Sequence, residues 1–206
     1  MNEYELFIKD TFDSFKCKNK NDLLKCIPIY DDKNSICGYL IPIIKDFRTV
    51  MPGCASLFAQ WRNENPSMSA DSFTATAPGT EKWLDNLIIG RDDRILFLII
   101  SVDLLKIGHI GYSSFVFDEK CCEVDAVLRG EKSIMPGMMT FALRALIDWG
   151  LERLELENIR LRVFSDNLNA IKFYKRNGFY IIEEGVAVSD SSDKTYTVMQ
   201  LEKIMY

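Results

Sequence analysis

Residues 159–179 read Ile-Arg-Leu-Arg-Val-Phe-Ser-Asp-Asn-Leu-Asn-Ala-Ile-Lys-Phe-Tyr-Lys-Arg-Asn-Gly-Phe. Ile159, Leu161 and Val163 alternate with Arg160, Arg162 and Phe164, the two-residue period of a strand. Ser165, Asp166 and Asn167 then offer side-chain oxygens for a helix N-terminus. Ala170, Ile171, Tyr174 and Lys175 fall on one side of the helix that follows, and Gly178 supplies its C-terminal stop before a further strand from Phe179. Strand, capped helix, glycine and strand in this order make a mixed α/β unit.

Working outward, Tyr180–Ala187 and Thr195–Leu201 read as two closing strands around the polar turn 189–194. Upstream, a long helix is expected over about 137–156, with Phe141, Leu143, Ala145, Leu146, Trp149 and Leu154 on its apolar side. Three strands precede it: Ile95–Val102, Ile107–Phe117 and Cys121–Leu128, the last two joined by Asp118-Glu119-Lys120. Thr80 is a candidate cap for a helix carrying Trp83, Leu84, Leu87 and Ile88. The segment 63–80 is rich in Asn, Ser, Thr, Pro and Ala, and is long enough to cover a substrate. Residues 47–64 read as helical although Pro52 and Gly53 weaken the middle. Before them, Leu6, Phe7, Phe12 and Phe15 suggest a helix, and Lys25–Tyr30 with Ile36–Ile44 a hairpin. This gives an α/β chain with a mixed, mainly antiparallel sheet and helices on both faces. Residues 1–50 form an N-terminal extension packed on a main domain of residues 51–206.

A chain of 206 residues with 48% hydrophobic and 12% aromatic content is large enough for one domain with a real core. Its longest apolar run, Ile95 to Ile100, is too short for a bilayer and reads as a buried strand. The start, Met-Asn-Glu-Tyr-Glu, is acidic where a secretory signal is basic and then apolar, so a cytoplasmic protein without a membrane partner is expected. Cys17, Cys26, Cys37, Cys54, Cys121 and Cys122 contain no Cys-x-x-Cys pair, and the single His109 cannot complete a zinc set. Reduced, mostly buried thiols and no metal follow. The net charge of −5 argues against nonspecific nucleic-acid binding, which needs a basic surface.

The spacing Asn-x-x-Ala-x-x-x-Tyr-x-x-x-Gly-Phe, across Asn167, Ala170, Tyr174, Gly178 and Phe179, resembles the acetyl-CoA-binding segment of the GCN5-related N-acetyltransferase (GNAT) family. The order of elements from roughly residue 55 onward is similar to that family too. The resemblance implies a GNAT-like fold, acetyl-CoA as co-substrate, and direct acetyl transfer to a primary amine on a small molecule. Either a monomer or a homodimer fits.

The strand Cys121–Leu128 runs through Arg129-Gly130 and on to Pro136-Gly137-Met138-Met139 before the long helix. Such a glycine-bearing loop presents backbone N–H groups at a helix N-terminus, where dipole and free donors favour an anion. In the resembling family this loop cradles the coenzyme pyrophosphate, with the pattern Gln or Arg, two residues, Gly, one residue, then Gly or Ala. Here Gly130 follows Arg129 directly and Met139 stands two positions after Gly137. The coenzyme set implied is Val127, Met135, Gly137, Met138, Met139 and Asn167, with Lys175 or its neighbours Lys172 and Arg176 reaching a phosphate. Asn167 also reads as the cap of its own helix.

In the family the tyrosine at the position of Tyr174 points at the coenzyme sulfur. A phenol of pKa near 10 can protonate a departing thiolate whose acid has a pKa of about 8.5; the alternative is a core tyrosine beside Phe173 and Phe179. A general base is also expected. Glu123 and Asp125 lie two apart on a strand and so share a face. Glu123 is the first candidate, Asp125 the second, and His109 the third, since its pKa near 6.5 suits a base. Trp61-Arg62-Asn63, with Phe73 after it, resembles acceptor-side residues of acetyltransferases acting on nucleotide-linked amino sugars and on ribosomal-protein N-termini. A core tryptophan and a surface arginine are the structural alternative. A domain that binds or senses acyl-CoA without turnover is the other functional class.

Overall fold

The computed structural model describes residues 2–66, 74–132, 135–188 and 193–202. Eight strands form one sheet in the order β1-β2-β3-β4-β5-β6-β8-β7. They are β1 (Ile27–Tyr30), β2 (Ile36–Pro42), β3 (Ile95–Ser101), β4 (Lys106–Val116), β5 (Cys121–Arg129), β6 (Asn158–Phe164), β7 (Phe179–Ala187) and β8 (Thr195–Leu201). Every neighbouring pair is antiparallel except β5 and β6. The expected mixed, mainly antiparallel sheet is thus present.

Helices cover both faces. On one side lie α1 (Glu3–Phe15), α5 (Met138–Arg153) and α6 (Leu168–Arg176), whose apolar residues share a core with β1, β3, β4 and β6. Trp149 of α5 sits at its centre, with ring centroids 5.0 Å from Phe15, 5.5 Å from Phe97 and 6.2 Å from Tyr112. On the other side, α2 (Phe47–Val50), α3 (Cys54–Glu64) and α4 (Ala77–Trp83) bury Phe47, Phe58 and Trp61 against Leu96, Leu98 and Leu128. Residues 1–50 therefore contribute α1 and two strands to the same sheet and core as the rest.

Local chemistry corrects several boundaries. The helix expected over 47–64 is divided at Met51-Pro52-Gly53, because Gly53 takes a left-handed conformation (φ 77°) that starts α3 afresh. Thr80 does not cap a helix. Thr76 does, its hydroxyl accepting from Gly79 N at 3.2 Å, which places Pro78 in the first turn where its missing N–H is harmless. That helix runs on as a π-helical turn over Leu84–Ile89. The long helix stops at Arg153, with Leu154 as its C-cap. Among Ser165, Asp166 and Asn167, the cap of α6 is Asn167, whose Oδ1 accepts from Ala170 N at 3.1 Å. On α6 only Tyr174 is buried, and Lys175 faces outward. Cys37, Cys54, Cys121 and Cys122 are buried free thiols, whereas Cys26 is exposed. No described helix is long and apolar enough to cross a membrane.

Lys16 closes α1 and is completely buried. Its ammonium donates to Arg91 O and lies 5.7 Å from the Phe12 ring centroid. Burial, then Lys18, pulls its pKa down to about 7, opposed by Asp13, Asp92 and Asp93. The unfolded chain, with lysine near 10.4, therefore binds more protons than the folded one between pH 7 and 10. Relative to Lys16→Met, the wild type is expected to gain stability as pH rises across that window, by at most about 1.4 kcal/mol per unit. Thermal melts of both proteins at pH 7, 8.5 and 10 check it; a constant difference in Tm overturns the assignment.

Candidate active site

The site begins where two strands part. β5 and β6 pair in parallel through only Cys121, Cys122 and Glu123 against Asn158, Ile159 and Arg160. Beyond Glu123, β6 continues along β8 while β5 bends toward β4. The bend is a bulge. His109 pairs with Leu128 and Gly111 with Asp125, so Ala126 and Val127 together face the single Ile110. Ala126 adopts φ 50°, a left-handed conformation that costs an L-residue about 1–2 kcal/mol. A wedge opens between the parted strands.

Two connected cavities occupy that wedge. The larger, about 660 Å³, is bounded by Val127, Arg129, Gly137, Met139, Asn167 and Tyr174, among others. The smaller, about 250 Å³, includes Asp125, Arg162, Phe164 and Tyr196 in its wall. Val127, Asn167, Ala170 and Tyr174 border both. A polar recess of about 280 Å³, with Arg91, Arg94, Ser113 and Ser114, adjoins the smaller cavity through Asp125 and Arg162.

At the mouth of the larger cavity, α5 starts from Gly137 (φ 89°). A Cβ there would meet nothing closer than 3.4 Å, so the conformation rather than space requires glycine. Met138 N donates to Met135 O at 3.2 Å and Thr140 N to Gly137 O at 2.8 Å. The Gly137 and Met139 amides keep no partner among the described residues. Two free donors at the start of a 16-residue helix suit an anionic group. Arg129 and Arg176 add positive charge to the same wall. The Met138 side chain instead points into the core, 3.9 Å from the Cys37 sulfur, and Met135 packs against that core. Lys175 is exposed and outside the lining. These features fit a coenzyme whose phosphates lie at the helix start.

Tyr174 stands where the two cavities meet. Its ring is held edge-on by Phe173 and Phe179, at centroid distances of 5.3 and 5.8 Å. Burial, and secondarily the charge of Asp125, raise its pKa well above the usual phenol value. The hydroxyl therefore stays protonated at neutral pH, as a proton donor must.

The carboxylates are separated by the bulge. Asp125 lies in the cavity wall, ion-paired with Arg94, and its Oδ1 accepts from Ala126 N at 2.6 Å. Glu123 sits where the strands are still paired, bonded to Arg162 at 2.9 Å, and borders neither cavity. Arg94 and Arg162, which hold these acids, were not singled out from sequence as site residues. Arg162 could have been found from its alternation with buried β6 residues; Arg94 is 31 residues from its partner, and no local spacing links them.

His109 is buried and away from the cavities, against Phe58, Trp61 and Trp83. Its Nδ1 lies 2.6 Å from Ala126 O. Burial lowers its pKa to about 4, so it is neutral at physiological pH. Trp61 is a core residue stacked on Phe58 at 5.7 Å, so close beneath Gly130 that a Cβ there would fall 2.0 Å from the indole. Arg62 lies half-buried, its guanidinium 5.3 Å from the Trp83 ring centroid. Asn63 clasps Ala75, donating to its carbonyl at 2.9 Å and accepting from its amide at 2.7 Å. Phe73 lies outside the described residues.

A family model described as an acetyltransferase (GNAT) domain matches residues 47–180. No curated protein sequence matches the chain. Among solved structures, a probable GNAT-family acetyltransferase from Chromobacterium violaceum superposes with a TM-score of 0.66 at 16% identity, covering 89% of this chain and 94% of that one. A spermidine/spermine N-acetyltransferase from Vibrio cholerae gives 0.58 at 15% identity, over 80% and 92%. RimL, a ribosomal L7/L12 alpha-N-protein acetyltransferase in complex with coenzyme A, gives 0.68 at 16% identity, over 85% and 97%. At such identities these structures speak to the fold. The family match spans well over half of the sequence, and the chain accordingly belongs to the GNAT acetyltransferases and is an N-acetyltransferase.

Proposed function

We propose that this chain transfers acetyl from acetyl-CoA directly to the primary amine of a nucleotide-linked amino sugar. The observation that carries the transfer is the position of the Tyr174 phenol at the junction of two cavities, one rimmed by free helix amides and one lined by Asp125 and Arg162. Acetyl-CoA supplies the activated acyl group as a thioester. Gly137 and Met139 N–H groups, with Arg129 and Arg176, hold its phosphates, and Val127 and Asn167 flank the pantetheine arm.

The acceptor amine enters from the side of Asp125. The Asp125 carboxylate orients the amine and takes its proton, directly or through water. As the C–N bond forms and the C–S bond breaks, Tyr174 gives its proton to the sulfur. No enzyme nucleophile is required: Cys121 and Cys122 are buried, and burial raises both thiol pKa values. The acceptor class is supported by Arg94 and Arg162 together with a stacked aromatic pair, Phe164 and Tyr196, at 4.9 Å. Arg162 lies over the Tyr196 ring at 5.6 Å and Lys194 over Phe164 at 5.0 Å. Planar faces beside guanidinium groups suit a ring-bearing, phosphate-bearing amine.

A screen of acetyl-CoA consumption against amino-sugar nucleotides, polyamines, aminoglycosides and N-terminal peptides tests the acceptor. Turnover is expected with the amino-sugar nucleotide. Turnover with peptides alone would replace the acceptor with a protein N-terminus, and CoA binding without any turnover would leave a sensing domain. Gly137→Val forces a β-branched residue into a left-handed conformation at the phosphate-binding turn. CoA affinity should fall about tenfold or more by calorimetry, with the fold retained by circular dichroism; unchanged affinity in a folded variant would move the phosphate site.

Tyr174→Phe keeps the ring and removes the proton donor, so turnover should fall by about 10²–10⁴ while KM for acetyl-CoA changes little. Near wild-type turnover would reduce Tyr174 to a core aromatic. Asp125→Asn should lower turnover by a larger factor than Glu123→Gln, the reverse of the order expected from sequence. Steady-state kinetics of the two variants decide it, and a greater loss in Glu123→Gln would restore that residue as base.

A further inference from the structure

Ala126 O belongs to the extra residue of the β5 bulge and so has no place in the ordinary ladder with β4. It meets His109 Nδ1 at 2.6 Å instead. A carbonyl only accepts, so Nδ1 carries the proton and Nε2 is left as the acceptor. Nε2 is buried without a partner among the described residues, as are Trp61 Nε1 and Thr80 Oγ1. The imidazole is wedged among Phe58, Trp61 and Trp83, at centroid distances of 4.7, 6.4 and 6.4 Å. These rings come from α3 and α4, whereas Ala126 lies on the strand that borders both cavities. His109 thus joins the bulge, by a hydrogen bond, to the helical layer, by ring packing.

We propose that His109 is a positioning residue for acyl transfer: its Nδ1–H holds Ala126 in the left-handed bulge, and so sets where Asp125 and Val127 stand in the cleft. The inference rests on the coenzyme occupying that cleft. Outside the strand ladders, no other hydrogen bond to Ala126 O is present among the described residues, and the neighbouring Asp125 Oδ1 braces the same residue from its amide at 2.6 Å. The ring is closed off from both cavities, so it neither touches the reacting atoms nor exchanges protons with them. Being neutral above pH 5, it keeps one tautomer across the working range. A phenylalanine fills the same space without the donor, whereas an asparagine amide reaches the same carbonyl from nearly the same point.

The test compares wild type, His109→Phe, His109→Asn and the double variant His109→Phe with Ala126→Gly, using CoA titration and steady-state kinetics. His109→Phe should bind CoA and turn over roughly tenfold less well, the loss of about one hydrogen bond's worth of positioning, with the acid limb of its pH–rate profile unmoved. His109→Asn should recover most of that loss by restoring a donor. Ala126→Gly should recover part of it, because glycine holds the left-handed turn unaided. Wild-type behaviour in a folded His109→Phe overturns the proposal, as does an acid limb that disappears, which would make His109 the base. Failure of wild type to bind CoA would instead overturn the coenzyme reading. Nitrogen-15 spectra of the wild-type imidazole need no variant: an Nδ1–H tautomer constant from pH 5.5 to 8.5 is expected, and an Nε2–H tautomer refutes the link.

Discussion

Parallel pairing between β5 and β6 ends after three residues, and the rest of the candidate site is organised by that ending. A sheet paired throughout would have no interior opening. Here the ladder on one side of β5 is given up from Val124 onward, and the left-handed Ala126 turns the strand away. The backbone groups released line a cleft open to solvent and ligand, where unpaired donors and acceptors cost little. α5 and α6 both begin beside that cleft, so residues at the starts of two helices, Gly137 and Asn167, line one cavity. The free amides at the start of α5 and the Tyr174 hydroxyl are thereby brought to one opening by a single topological event.

Electrostatics in the cleft are paired rather than free. Asp125 is held by Arg94, and Glu123 by Arg162. A fixed carboxylate of known orientation steers an incoming amine better than a mobile one, because less side-chain freedom is lost when the acceptor arrives. The same arginines line a polar recess beside the smaller cavity. Tyr174 lies within the field of Asp125, which disfavours the phenolate and leaves the hydroxyl poised to donate.

Much of this was legible in the chain itself, for identifiable reasons. The alternation in Ile159–Phe164, the Asn167 cap and the stop at Gly178 are local signals, and all appear in place. Strand existence was readable because β3 is an apolar run and β4 and β5 flank a short polar turn. Boundaries set by competing caps were not: Thr76 and Thr80 have the same chemistry, and only the buried position of Thr80 decides between them. The bulge was invisible because a single left-handed alanine has no sequence signature, and it is the bulge that separates Asp125 from Glu123. For the same reason His109 looked like a base by type, while its surroundings make it a structural donor.

The clasp between Asn63 and Ala75 has an evolutionary consequence. It ties Asn63, in α3, to Ala75, just before α4, so the spacing of these two points is fixed whatever the length of chain between them. Lengthening such a loop costs only about 0.6 kcal/mol per doubling of its length. Substitutions and insertions within it can therefore accumulate without disturbing α3, α4 or the wedge between the strands. A lineage carrying this clasp can vary the chain between residues 63 and 75 while the packing of α3 against α4 is kept.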